Sequence, residues 1–156
     1  MDSNSTTRFT DRVENYIKYR PSYPADVIEY LKSEGILRSD SVIADIGSGT
    51  GISAELFLKN RNVVYGIEPN DAMREAAEKL LSAYGNFRSI NATAEDTTLP
   101  KYSIDLILCA QAFHWFDIQK VKIEFNRILK PSGSICLIWN ERILDVERTA
   151  RLRLSF

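Results

Sequence analysis

The sequence predicts an α/β domain: a parallel β-sheet with helices packed on both faces. Three features carry this reading. Short apolar runs alternate with stretches of helical periodicity. The strongest runs are apolar almost throughout, as in strands buried on both sides. A glycine cluster closes the first run, where a strand would hand over to a helix.

In chain order, an early helix is expected over residues 11–19 and a second over 24–33, with Pro24 in its first turn. The first strand spans 41–46 and ends at the glycines. A helix over 52–59 follows, with Ile52, Leu56 and Phe57 on its apolar side. The second strand, 62–67, ends at Glu68-Pro69. Residues 71–84 place Met73, Ala76, Ala77, Leu80 and Leu81 on one stripe, the mark of an amphipathic helix. A weaker strand lies at 86–91 and a strong one at 104–110. The next helix, 117–129, aligns Val121, Phe125, Ile128 and Leu129 and stops before Pro131 and Gly133. Residues 134–139 form the fifth strand. Residues 141–156 read as one mixed-charge helix with Arg142, Arg148, Arg151 and Arg153, and no further strand pattern is expected there.

The chain has 156 residues, one domain's length. Its 20 basic and 21 acidic residues leave a formal charge of -1, which argues against a nucleic-acid binder held mainly by phosphate contacts. No run approaches the roughly 18 apolar residues of a membrane span. Residues 1–10 are polar and lack the apolar centre of a secretory signal, so a cytoplasmic protein is expected. Cys109 and Cys136 sit inside apolar runs without CxxC spacing, and His114 is the single histidine. Neither a disulfide scaffold nor a metal site is expected, and both cysteines read as small core residues.

Parallel sheets bind ligands outside the carboxyl ends of their strands. The segment Asp45-Ile-Gly-Ser-Gly-Thr-Gly51 lies at such an end and opens a helix whose free N–H groups suit an anionic ligand group. The dinucleotide fingerprint GxGxxG needs glycine where Ile52 stands, and a phosphate-binding P-loop needs a lysine that is absent. A nicotinamide-dependent dehydrogenase is therefore disfavoured. Glu68 ends the second strand about 20 residues beyond Gly47, where an acid can accept hydrogen bonds from two ribose hydroxyls.

Ala44-Asp-Ile-Gly-Ser-Gly-Thr-Gly51 resembles motif I of the class I S-adenosylmethionine-dependent methyltransferases, and Tyr65-Gly-Ile-Glu-Pro-Asn70 resembles their next motif. Ala94-Glu95-Asp96 ahead of Leu99-Pro100 looks like their adenine-facing segment. Ile128-Leu-Lys-Pro-Ser-Gly133 is similar to the turn before their fifth strand. The type 11 group is the nearest match. Phe9-Thr-Asp-Arg-Val, Tyr19-Arg-Pro-Ser-Tyr-Pro24 and His114-Trp-Phe116 resemble its branch of trans-aconitate methyltransferases and related small-molecule enzymes. The resemblance implies a Rossmann-like fold with strand order 3-2-1-4-5 and S-adenosylmethionine as cofactor. Gly47, Gly49 and Gly51, with Ser48 and Thr50 between them, would line its amino-acid end, helped by Asp45. Glu68 would take the ribose. Pro69, Asn70, Met73, Ala94 and either Glu95 or Asp96 would meet the adenine. Ala110 and Gln111 would lie beside the methionine portion, and Arg20 would approach its carboxylate.

The remaining residues carry two readings each. His114 either orients substrate or acts as a general base, or it anchors a loop. Trp115 and Phe116 either wall the substrate pocket or pack on the following helix. Tyr16, Tyr19 and Tyr23 either belong to an N-terminal lid over 1–35 that touches substrate or pack a helix. No Asn/Asp-Pro-Pro-Tyr/Phe run follows the fourth strand, so amino groups of bases and amides are disfavoured as acceptors, and a small carboxylic acid stands first.

Class I methyltransferases usually add two more strands after the fifth. Their expected absence makes the chain read as C-terminally truncated, with strand five as an apolar sheet edge open to the tail or to self-association. The alternative to an enzyme is then a non-catalytic cofactor-binding or interaction module.

Overall fold

The computed structural model describes residues 22–110, 112, 116–141 and 149–154; the helix expected over 11–19 lies outside them. The first helix, α1 (Asp26–Ser33), begins with Asp26 and Glu29 in its first turn and buries Val27, Ile28 and Leu31. Gly35, at φ 69°, takes the left-handed position that ends it. Then follow β1 (Val42–Ile46), α2 (Ile52–Lys59), β2 (Val63–Ile67), α3 (Asp71–Leu80), β3 (Phe87–Ile90), β4 (Ile104–Ala110), α4 (Ile118–Ile128), β5 (Leu129–Glu141) and β6 (Thr149–Leu154).

The six strands form one sheet in the order β3-β2-β1-β4-β5-β6. The first five run parallel, with the 3-2-1-4-5 order that the sequence implied. Alternate side chains along the strands feed two cores. On one face Ile43, Val64, Leu106 and Leu108 meet α1 and α2. On the other, Ala44, Ile46, Ile107 and Cys109 meet Val121, Phe125 and Ile128 of α4. Every residue of β4 is buried, Asp105 included, as its nearly continuous apolar run predicts. Cys109 and Cys136 are buried free thiols, the core role expected of them. Among the described residues, no helix is long and apolar enough to cross a membrane.

Three boundaries differ from expectation. α3 ends at Leu80, and the stretch to Tyr84 tightens into turns closed by Ser82 N–H to Lys79 O and Tyr84 N–H to Leu81 O. β5 starts at Leu129, directly after α4, because Leu129 pairs with Ile104 while Ser134 pairs with Leu106. Residues 130–133 thus bulge opposite Asp105, which accommodates Pro131 within the strand. A Cβ on Gly133 would come within 2.5 Å of Leu129 and 3.0 Å of the Asp105 carbonyl, so this bulge needs glycine.

The third difference is a correction. The tail is not one helix, since β6 pairs antiparallel with β5 from Cys136↔Leu154 to Glu141↔Thr149. The arginine spacing suggested a helix, but Arg151-Leu-Arg-Leu154 also has the two-residue period of a strand. The unpaired backbone of β5 offers partners that a local helix would leave unused. The stretch of strand five that was expected to remain open for self-association is paired within the chain.

Candidate functional site

The sheet reverses its order between β1 and β4. The chain leaves β1 toward β2 and β3 on one side, then returns to build β4 and β5 on the other. The crevice at this reversal, at the carboxyl ends of the strands, is where the fold leaves room for a ligand. β1 opens into it through the glycine loop. Gly47, Gly49 and Gly51 have φ of 69°, 55° and 90°, the left-handed region that glycine enters without strain. The loop is tied to the neighbouring strand by the N–H groups of Gly47 and Ser48, which both donate to Ile67 O at 2.8 and 3.1 Å.

Gly47 sits under the segment that follows β4. A Cβ there would lie 2.8 Å from Ala112 Cβ and 3.6 Å from the Phe116 ring. The floor and the wall of the crevice therefore meet at this residue. Ala110, the last residue of β4, is buried beside it in the strand core. Phe116 is half-buried and packs against the core of the α4 face while its ring also lies beside Gly47.

Glu68 stands at the end of β2, with its N–H donating to Ile90 O at 3.1 Å. Its carboxylate is half-buried, and the backbone N–H groups of Asn70 and of Gly49 in the loop lie near enough to favour its charged form. Burial is the larger effect and raises its pKa above the usual carboxylate range, and those N–H groups and the Arg74 charge only partly offset it. The loop and the acid, read separately in the sequence, are thus neighbours. Asn70 also caps α3, its side-chain oxygen accepting Met73 N–H at 3.0 Å. Pro69 is exposed, and Asn70 and Met73 are half-buried beside it.

The other predicted residues are distributed as follows. Asp45 is fully buried and accepts the Ser53 hydroxyl at 2.6 Å, which joins β1 to α2. Ser48 is buried, with its hydroxyl 3.0 Å from where a Cβ on Gly66 would stand. Thr50 is buried too, and its hydroxyl has no hydrogen-bond partner among the described residues. It lines a cavity of about 420 Å³ with Tyr23, Gly51, Leu56 and Leu81. Tyr23 itself is buried in the core cluster that includes Val27, Ile28 and Leu31 of α1.

Beyond β3, Ala94 is buried and Glu95 is half-buried, with its carboxylate accepting Asp117 N–H at 3.0 Å. Asp96 is exposed, with its N–H held by the Thr93 hydroxyl at 3.2 Å. Arg20, Tyr19, Tyr16, Gln111, His114 and Trp115 lie outside the described residues.

Several residues of this edge escaped the sequence reading. Arg74 donates to Glu68 O at 3.1 Å and to Asp71 at 2.6 Å. The Asp71–Arg74 helical spacing is a signal that could have found it. Ser53 and Ala112 carried no local signal. Glu124 of α4, which reaches the segment after β3, looked like one more charged helix residue.

The glycine bend and a desolvated carboxylate are chemically suited to a ligand bearing paired hydroxyls, with a further group approaching the loop backbone closely. Comparison with known proteins identifies the family of the chain. A family described as a methyltransferase domain matches residues 44–137. An uncharacterized methyltransferase-like protein of Schizosaccharomyces pombe is 30% identical over 135 residues, covering 86% of this chain and 52% of its own. A probable S-adenosylmethionine-dependent methyltransferase of Saccharomyces cerevisiae is 32% identical over 125 residues, covering 77% of this chain and 42% of its own. The chain thus spans about half the length of the curated relatives it matches. A SAM-dependent methyltransferase from Aquifex aeolicus has the same fold, with a TM-score of 0.71 at 20% identity over 88% of this chain and 77% of its own.

Proposed function

The chain belongs to the methyltransferase domain family, and on that premise we propose that it binds S-adenosylmethionine and serves methyl transfer to a small molecule, with a carboxylic acid as the first candidate. The observation that carries this reading is Glu68, a half-buried carboxylate that follows β2 beside the positive-φ glycine loop and is kept there against a desolvation cost. Such a group is suited to the two ribose hydroxyls. Gly47, where any side chain would meet Ala112, leaves the backbone open to close approach by the amino-acid end. Pro69, Asn70, Met73 and Ala94 are the residues proposed to flank the adenine, with Glu95 or Asp96 as the acceptor for its amino group.

When bound, the cofactor supplies an electrophilic methyl group on a sulfonium. The task of the chain's own residues is then alignment, which can supply much of the rate of such an in-line displacement. A carboxylate acceptor is already a nucleophile at neutral pH and needs no base. His114, Trp115, Tyr19 and the N-terminal Arg20 are proposed as substrate- and cofactor-facing residues on the resemblance of their segments alone.

Calorimetric titration of the chain with S-adenosylhomocysteine tests the reading. Saturable one-site binding is expected, followed by product formation with a panel of small carboxylic acids. A folded chain that leaves S-adenosylhomocysteine unbound would refute it.

A further inference from the structure

The loop after β3 is clamped from below by a side chain of α4. Glu124 Oε1 accepts the Thr97 N–H at 2.9 Å and the Thr97 hydroxyl at 2.6 Å. The same carboxylate accepts Arg127 Nε at 2.8 Å and an Arg127 terminal nitrogen at 2.7 Å. Glu124 is nearly buried and Thr97 is fully buried. The Thr97 hydroxyl in turn accepts Leu99 N–H at 3.3 Å. Thr98, between them, has φ 64°, a left-handed conformation that a β-branched residue adopts only when its surroundings impose it. A second tie lies nearby, where Glu95 accepts the N–H of Asp117, the N-cap residue of α4.

These contacts hold more than a connection requires. The loop gives up two backbone donors and a hydroxyl to the clamp and stores strain at Thr98. In return, the segment that carries Ala94 and Asp96 is held at both Glu95 and Thr97 without any ligand. Holding a site in its productive geometry in advance is the usual role of such a supporting contact. We propose that Glu124 is a positioning residue which, through Thr97, holds the 93–99 loop in the shape that receives the cofactor's adenine. This rests on the cofactor reading above. Arg127 contributes by fixing the Glu124 carboxylate, so that its oxygens face the loop.

The proposal separates a positioning role from a merely structural one. A structural tie would change stability and weaken all ligands alike. A positioning tie acts on adenine recognition. Calorimetry with S-adenosylhomocysteine and with S-inosylhomocysteine, in which an oxo group replaces the adenine amino group, reads the difference.

The wild-type chain is expected to prefer S-adenosylhomocysteine. Thr97→Val removes the hydroxyl that bridges Glu124 and Leu99, and should weaken S-adenosylhomocysteine by about tenfold while barely changing the inosyl ligand. Thr97→Ser should restore the preference, and Glu124→Gln should reduce it in the same direction with a smaller loss of fold. Where Thr97→Val does not fold, the Glu124→Gln and Thr97→Ser pair decides. An equal loss for both ligands, or an unchanged preference, overturns the proposal while leaving the cofactor reading in place. A wild-type chain that binds neither ligand overturns the cofactor reading, and this proposal with it.

Discussion

Replacing Glu68 with glutamine should move stability and ligand affinity in opposite directions. Glutamine keeps the shape and an oxygen facing the Gly49 and Asn70 N–H groups, but it removes the charge. The folded chain holds the Glu68 pKa above its usual value, mainly through burial. A carboxylate raised in this way contributes stability while protonated, fully so below its unfolded pKa, and loses that contribution as pH rises through the folded pKa. At neutral pH the charged side chain is therefore a cost to the fold. Glu68→Gln should melt at least as high as wild type at pH 7, and its advantage should vanish near pH 4. Affinity responds the other way. A hydrogen bond to a charged acceptor is worth about 1 kcal/mol more than one to a neutral acceptor, and a ribose diol makes two. The loss is about 2 kcal/mol, or roughly thirtyfold in Kd for S-adenosylhomocysteine. Thermal melts at the two pH values and calorimetric titration at pH 7 measure both effects. Unchanged affinity would refute the ribose assignment, and a variant markedly less stable at pH 7 would refute the claim that folding alone does not need the charge.

Three other outcomes follow from the same geometry. Gly47→Ala places a methyl at φ 69° and 2.8 Å from Ala112, so denaturant unfolding should show a loss of about 1–3 kcal/mol, whereas Gly85→Ala, which meets nothing within 4 Å, should stay within about 0.5 kcal/mol of wild type. The Arg127 guanidinium, burial notwithstanding, and the Thr97 donors hold the Glu124 pKa down to about 2, so its contribution is present above the unfolded value and lost as pH falls from about 5 toward 2. Allowing for a partly exposed Arg127, that contribution is on the order of 2 kcal/mol, and urea titrations at pH 7 and pH 3 should show Glu124→Gln with the weaker acid dependence. Removing residues 142–156 exposes the apolar strand β5 from Cys136 onward, and light scattering on a sizing column should then show more self-association than for the intact chain.

The parts of this protein legible in its sequence are those whose physics is local. A glycine-rich bend between a buried strand and an amphipathic helix reads directly, and so does an acid at the next strand end. The strand order followed from resemblance to whole motifs rather than from periodicity. The tail was misread because six residues with both helical and strand periodicity are decided by their partner, and the edge of β5 decides for a strand. Glu124 was missed for a related reason. Its partner Thr97 is 27 residues away, and along α4 it reads as a polar residue among others on a half-apolar helix. Ala112 and Ser53 gained meaning only when the sheet placed them against Gly47 and Asp45.

Comparing the acids that the fold draws inward separates structure from function more sharply than any motif does. Asp105 lies at the amino end of the sheet, where it accepts Val42 N–H at 2.8 Å and Lys130 Nζ at 3.0 Å, with Arg38 at 3.8 Å. Glu124 is saturated by Arg127 and Thr97, and its pKa falls. Both of these acids are compensated by cations held beside them. Glu68 differs from both. It stands at the carboxyl end of the sheet, and its compensation is incomplete enough that its pKa rises. A chain selected only to fold would gain by replacing it with a neutral acceptor. A charge left in this state beside the glycine loop is what the proposed ribose donors would offset, and the pH-resolved comparison of Glu68→Gln with wild type measures that imbalance directly.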